Sequence, residues 1–145
     1  MRTRLMTICV AAAALLTGAT AANADIRHFV GVLRGAGEAP PNATTGKGEI
    51  KAVVDTDRGL LDYTVTYKGL TGPATAAGLH EIALGQPDPV IPATASGRSG
   101  QVHAVVKLTP QQLDALNAGR WFFDIATDAN PNGEIRARLE PTSNF

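Results

Sequence analysis

The sequence predicts an all-β domain, a β-sandwich or Greek-key barrel of about seven to eight short strands with one short helix. Three observations carry that reading. Apolar and polar residues alternate with a period of two through most of the chain after Asp25. Clusters of Gly, Pro, Asn and Asp interrupt the alternation about every ten residues. Only one segment carries the start and stop signals of a helix.

The first 24 residues stand apart from this pattern. Arg2 and Arg4 make a short positive region, Leu5 to Leu16 is an apolar run, and Ala22-Asn23-Ala24 offers small residues at a cleavage site. A membrane-spanning helix would need about 20 apolar residues, more than this run supplies. Residues 1–24 are therefore expected to be a signal peptide, and residues 25–145 the working domain. The only cysteine, Cys9, lies inside the apolar run rather than after it, which argues against a lipoprotein anchor. The expected location is exported, periplasmic or secreted.

Each strand follows from alternation. Phe29, Gly31 and Leu33 share one face of the first; Ile50, Ala52 and Val54 share one face of the second. Leu61, Tyr63, Val65 and Tyr67 define the third, and Val102, Ala104, Val106 and Leu108 another. The last two are built on Trp121, Phe123 and Ile125 and on Ile135, Ala137 and Leu139. A less regular strand is expected around Ala77–Leu84, and a short edge strand at Val90-Ile91 within a long proline-bearing loop, Gly85–Gly100. Asp57-Arg58-Gly59 reads as a hairpin turn, and Asn130-Pro131-Asn132-Gly133 as the hairpin loop between the last two strands. Trp121-Phe122-Phe123 puts aromatic surface on both faces of its strand. One face belongs in the core; the other is either covered by the helix or the long loop, or is a binding patch.

The helix begins at Thr109, an N-cap followed by Pro110 at the first helical position and Gln112 three residues on, the capping-box spacing. Leu113 and Leu116 supply a buried face, and Gly119 a stop.

Charge excludes some partners. The chain has 13 basic and 13 acidic side chains. Loss of Arg2 and Arg4 would leave 11 basic against 13 acidic, a net charge of −2. That gives no electrostatic footprint for nucleic acid or anionic lipid. A mature chain of 121 residues, 145 less 24, is one domain's length, has no cysteine for a disulfide, and has no second apolar stretch able to span a membrane.

Three segments resemble the CHRD domain, the repeat named after chordin. They are Leu33-Arg34-Gly35-Ala36-Gly37-Glu38-Ala39-Pro40-Pro41; then Leu70 and Gly72 with Ala76-Ala77-Gly78-Leu79-His80; then Leu108-Thr109, Gln111-Gln112-Leu113, Ala118-Gly119 and Trp121 to Leu139, with Asn130-Pro131-Asn132-Gly133-Glu134-Ile135-Arg136. The resemblance implies a β-barrel or sandwich of immunoglobulin-like type, in a bacterial, exported, single-domain member. In animals the domain occurs in an extracellular antagonist of growth-factor signalling, a role that transfers no chemistry.

The resemblance also brings a metal question. The family often shows His-x-His in the middle segment and another His in the last-but-one strand, an arrangement like the copper ligands of superoxide dismutase sandwiches. This chain keeps His80, but Gly78 and Ile82 stand two residues to either side, and Ala126 stands where the family places the later His. A lone imidazole holds a transition metal poorly, because typical sites use three or four ligands. His80, His103 and Asp128 are the weak metal candidates. Asp128-Ala129-Asn130-Pro131-Asn132-Gly133 also matches the first half of a calcium-binding EF-hand loop, although position twelve is Leu139 and both flanks read as strands. No cofactor is expected, and copper, zinc and calcium stay open. His28 is expected to be solvated.

Candidate binding residues are Glu38, His80, Glu134 and Arg136. Glu38 is either a ligand contact or a carboxylate held by backbone N–H groups or an arginine. Glu134 and Arg136, two apart on one strand, are expected to share a face and pair across strands. No nucleophile–base pair, Gly-x-Ser-x-Gly or phosphate loop is legible, so no catalytic residue is assigned and the protein is not read as an enzyme. The leading expectation is an exported non-catalytic β-domain binding an extracellular or periplasmic protein, glycan or envelope component. The alternative is a metal-binding or redox domain with a reduced superoxide-dismutase-like site around His80.

Overall fold

The computed structural model describes residues 25–82 and 90–145. The expected signal peptide and the start of the proline-bearing loop lie outside the described residues. Nine strands and one helix follow in the order β1 (Ile26–Arg34), β2 (Lys47–Asp55), β3 (Leu60–Lys68), β4 (Ala74–Glu81), β5 (Val90–Ala93), β6 (Gly100–Lys107), α1 (Pro110–Asn117), β7 (Trp121–Thr127), β8 (Asn130–Arg138) and β9 (Glu140–Thr142). The all-β class with one short helix is as the alternation predicts. β9 is an addition that its three residues were too short to announce.

The strands form one antiparallel sheet in the order β5-β4-β7-β8-β1-β2-β3-β6, curled into a nearly closed barrel. β1 is its hinge. One edge of β1 pairs with β2 from Ile26↔Asp55 to Arg34↔Lys47. Its other edge is divided: His28 to Val30 pair with β9, and Arg34 pairs with Arg136 of β8. The chain therefore builds β1-β2-β3 as a meander, crosses to lay down β4 and β5, returns for β6 beside β3, and crosses again through α1 to β7 and β8.

The alternating residues meet inside. Phe29, Leu33, Ile50, Leu61, Tyr63, Leu79, Trp121, Phe123, Ile125, Ile135 and Leu139 are all buried in one cluster. Truncating a buried aromatic such as Phe123 to Ala would cost about 3–5 kcal/mol. α1 adds Ala115 and Leu116 to that core. Its capping box is complete: Thr109 Oγ1 accepts from Gln112 N at 3.2 Å, and Gln112 Oε1 accepts from Thr109 N at 2.9 Å. Gly119, at φ +70°, ends it, and Arg120 N–H donates to the Ala115 carbonyl in a Schellman closure.

One turn is displaced from its expected place. The β7–β8 turn is Asp128-Ala129, closed by the Thr127↔Asn130 pair, so Asn130–Gly133 begin β8 rather than forming the loop. The register shifts between Ile125 and Thr127, and Gly133 takes φ +123°. Pro131 has no N–H for the ladder and Gly133 tolerates an unusual φ, so these residues make an irregular strand start.

Candidate functional site

The outer face of β4, β7 and β8 carries a polar row whose order is set by register. His80 lies opposite Phe122, Gly78 opposite Asp124, and Asp124 opposite Arg136. His80 Nε2 is 3.0 Å from Asp124 Oδ1, Arg136 Nη2 is 3.6 Å from Asp124 Oδ2, and Arg136 Nε is 3.0 Å from Glu38 Oε2. Facing a carboxylate, His80 Nε2 carries the hydrogen. The four side chains form a line, His80–Asp124–Arg136–Glu38, none more than 22 % exposed.

Phe122 is the floor of this line. It sits on the outer face of β7, yet it is only 6 % exposed. The His80 ring stacks on it at 4.8 Å, nearly parallel, and the Arg136 guanidinium lies 4.2 Å from its centroid. Two polar side chains from the neighbouring strands, His80 of β4 and Arg136 of β8, thus cover it. A cleft of about 350 Å³ opens beside it, lined by Ala76, Ala77, His80, Asp124, Ala126 and Pro131–Gly133. A second, of about 210 Å³, lies on the far side of Pro131–Gly133 and is lined by Glu38 to Asn42 and Ala129 to Gly133.

Glu38 reaches the row from the segment after β1. Gly35–Gly37 form one 3-10 turn, and the Gly35 carbonyl accepts from both Glu38 N–H and Asn42 N–H. The Asn42 amide donates to the Glu134 carbonyl at 2.9 Å, tying this segment to β8. The Glu38 carboxylate packs on Gly133, where an added Cβ would stand 2.6 Å from both its oxygens. Although Arg136 Nε is close, its N–H is not aligned on Glu38, so the contact is ionic; among the described residues Glu38 Oε1 and Arg136 Nε have no hydrogen-bond partner. Burial pushes the carboxyl up, Arg136 opposes it and Asp124 reinforces it, and the outcome is about 7 against an ordinary 4.5.

Glu134 is placed otherwise than the spacing suggested. Among the described residues it pairs with no arginine. Fully buried, it accepts from Thr44 Oγ1 at 2.6 Å, Thr71 N at 2.8 Å, Thr71 Oγ1 at 2.7 Å and Thr127 Oγ1 at 2.6 Å. Burial raises its carboxyl, but the bonds from Thr127, Thr44 and Thr71 outweigh that and hold it at about 2. The irregularity at Gly133 explains the failed pairing: the two-residue rule for sharing a face holds only in a regular strand. Arg136 instead finds Glu38 and Asp124.

The weak metal candidates are not brought together. His80 pairs with Asp124 on β7, His103 with Asp62 on β3 at 2.9 Å, and Asp128 is exposed in the β7–β8 turn. Among the described residues no three His, Cys, Asp or Glu side chains converge as a metal site. The residues present thus do not fit the three-ligand arrangement that the family's histidines suggest. His28 is half-buried, with Phe145 edge-on to its ring at 4.9 Å, rather than solvated.

Sequence reasoning missed Phe122 and Asp124 as members of the row, although a lone acid on the polar side of an aromatic strand was a usable signal. It also missed Thr44, Thr71 and Thr127, which come from three separate segments and leave no local pattern. A family model of the CHRD domain matches residues 29–139, most of the chain. The chain belongs to the CHRD domain family. No curated protein and no solved structure matches it. The CHRD signature from Leu33 to Pro41 is, in three dimensions, the segment that carries Glu38 onto β8, and the signature Asn130 to Arg136 is the strand that receives it. Among the described residues no helix is long and apolar enough to cross a membrane.

Proposed function

We propose that this CHRD domain is an exported, non-catalytic binding module, cut after Ala24 to begin at Asp25, which holds a protein, glycan or envelope component on the outer face of β4, β7 and β8. The observation that carries the reading is the His80–Asp124–Arg136–Glu38 line over Phe122. These side chains are fixed by one another before any partner arrives, so binding would cost little side-chain ordering. An aromatic floor, a guanidinium and two flanking clefts are the mixture from which binding hot spots are made.

The test has two arms. Mass spectrometry of protein recovered outside the cytoplasm should find Asp25 at its N-terminus; uncleaved or cytoplasmic protein would end the export reading. Purified protein should then co-sediment with envelope fractions or bind immobilised glycans, and Arg136→Ala, if still folded by circular dichroism, should weaken that binding. Equal binding by wild type and variant would remove this face from the reading.

A further inference from the structure

The other half of the barrel carries a charge pattern that its own stability disfavours. Arg34 of β1 lies directly opposite Lys47 of β2, and Lys47 directly opposite Lys68 of β3. Residues directly opposite in an antiparallel pair share a face, so three cations stand in line across three strands. All three are exposed, and none belongs to an ion pair among the described residues. Like charges set directly opposite are destabilising. The row also runs against the chain as a whole, whose 13 basic and 13 acidic side chains balance.

A fourth cation, Arg138 of β8, lies to one side of this line. At Gly31 an added Cβ would stand 2.5 Å from the Arg138 carbonyl, and at Gly37 one would stand 2.5 Å from the Arg136 carbonyl. These two glycines let β8 close on β1, and Arg138, two residues beyond the partner of Arg34, lines a cleft with it. One cleft, of about 450 Å³, is lined by Val32, Arg34, Lys47, Glu49, Thr66 and Lys68 among others. A second, of about 470 Å³, is lined by Val30, Val32, Arg34, Arg138 and Glu140 among others. They share Val32 and Arg34, so they read as one trough across the strands. Its two acids are Glu49, which already faces Lys51 at 3.6 Å, and Glu140.

We propose that this trough binds an acidic polysaccharide, a polymer bearing one carboxylate per sugar. Cations on neighbouring strands recur at about 4.8 Å, which suits an extended chain with regularly repeated anions better than a single small anion. Val32, 55 % exposed on the floor, and half-buried Val30 offer apolar contact to the C–H faces of sugar rings. The trough has no exposed aromatic ring on which bases would stack, so single-stranded nucleic acid fits it less well. A concave line of charge fits a chain better than it fits a flat membrane. The proposal does not rest on the His80–Glu38 row, which the trough meets where Arg34 pairs with Arg136.

The test is affinity electrophoresis and calorimetry of residues 25–145 with polygalacturonate. Neutral dextran serves as one control, and vesicles of phosphatidylcholine with phosphatidylglycerol as another. Polygalacturonate should bind at low salt and release as salt screens the charges. Lys47→Gln with Lys68→Gln should weaken binding roughly tenfold or more, while the urea midpoint stays level or rises because the repulsion is relieved. Arg58→Gln with Arg120→Gln, the same change of charge at exposed positions elsewhere, should leave binding as it was. No binding to polygalacturonate, equal weakening by both double variants, equal binding of dextran, or binding of vesicles in place of the polymer would each overturn the proposal.

Discussion

Glu38 and Glu134 are far apart in the sequence, yet both are buried at Gly133 of β8, Glu38 packed on that glycine and Glu134 next to it in the chain, and they behave in opposite ways. Each loses its water, which alone would favour the neutral acid. Glu134 receives four hydrogen bonds from three threonines and is held at about 2. Glu38 has one arginine at 3.0 Å, poorly aligned, with one oxygen unpartnered, and stands at about 7. The lesson is that donors aimed at the oxygens, more than the presence of a counter-charge, decide what burial does to a carboxylate. Glu134 is a structural tie between three segments. Glu38 is a group whose charge is open to change near neutral pH, beside a cleft.

The comparison is broken hardest by removing the tie. Glu134→Ala takes the acceptor from Thr44, Thr71 and Thr127 together and should cost about 3–5 kcal/mol. Urea unfolding monitored by the fluorescence of Trp121 reads the loss directly. A cost below about 1 kcal/mol would mean that the threonines find other acceptors and that Glu134 is no tie.

The pH dependence should show the two glutamates acting with opposite sign. A folded value near 2 against an ordinary 4.5 means that the unfolded chain takes up the proton first on acidification. Glu134 therefore stabilises above 4.5, and that contribution, about 3 kcal/mol, is lost as pH falls toward 2. A folded value near 7 means that the folded state keeps its proton longer as pH rises. Glu38 thus stabilises below 4.5 relative to above 7, and a similar amount, about 3 kcal/mol, is lost between those limits. Together they place the maximum of this pair's contribution near pH 4.5. In Glu38→Gln the fall between 4.5 and 7 should vanish while the acid limb remains. A variant that keeps the neutral-side fall would show that another group titrates there.

How much of this was readable in the sequence depends on whether the information is local. Alternation at Phe29-Gly31-Leu33 and Trp121-Phe123-Ile125 reports one face of one strand, and those residues are in the core. The capping box at Thr109 and Gln112 is contained within four residues, and it formed as written. Glu134 failed because its partners are Thr44 and Thr71, 90 and 63 residues away, and because the Gly133 irregularity undid the period-two rule at that point. Phe122 was recognised as an aromatic on a second face, but what covers it depended on strand order, which alternation does not carry.

A smaller perturbation sharpens the role of Gly133. Gly133→Ala meets both Glu38 oxygens at 2.6 Å and asks a side chain to hold φ +123°. It should cost about 1–3 kcal/mol, with the Glu38 carboxylate pushed out toward water. The informative readout is the Glu38 side-chain carbon shift in an NMR titration, which should move from about 7 back toward 4.5. Destabilisation with the titration unmoved would mean that the strain is absorbed in β8 and that Glu38 does not depend on the glycine for its burial.

The smallest expected effect comes from a second matched pair, the two His–Asp contacts. His80 and Asp124 are 3.0 Å apart and 20 % and 13 % exposed; His103 and Asp62 are 2.9 Å apart and 59 % and 56 % exposed. Distance is the same, and surroundings differ. His80 also stacks on Phe122, so His80→Ala should cost about 1–2 kcal/mol by uncovering that ring. His103→Ala leaves a solvated carboxylate behind and should change stability by less than about 0.5 kcal/mol. Double-mutant cycles with Asp124→Asn and Asp62→Asn separate the pairwise part, which should be measurable only for the first pair. Equal coupling in both cycles would show that enclosure by Phe122 and Arg136 adds nothing to the His80 contact. The ordered row would then be four independent surface residues, and the outer face of β4, β7 and β8 would lose the preorganisation on which its proposed binding role depends.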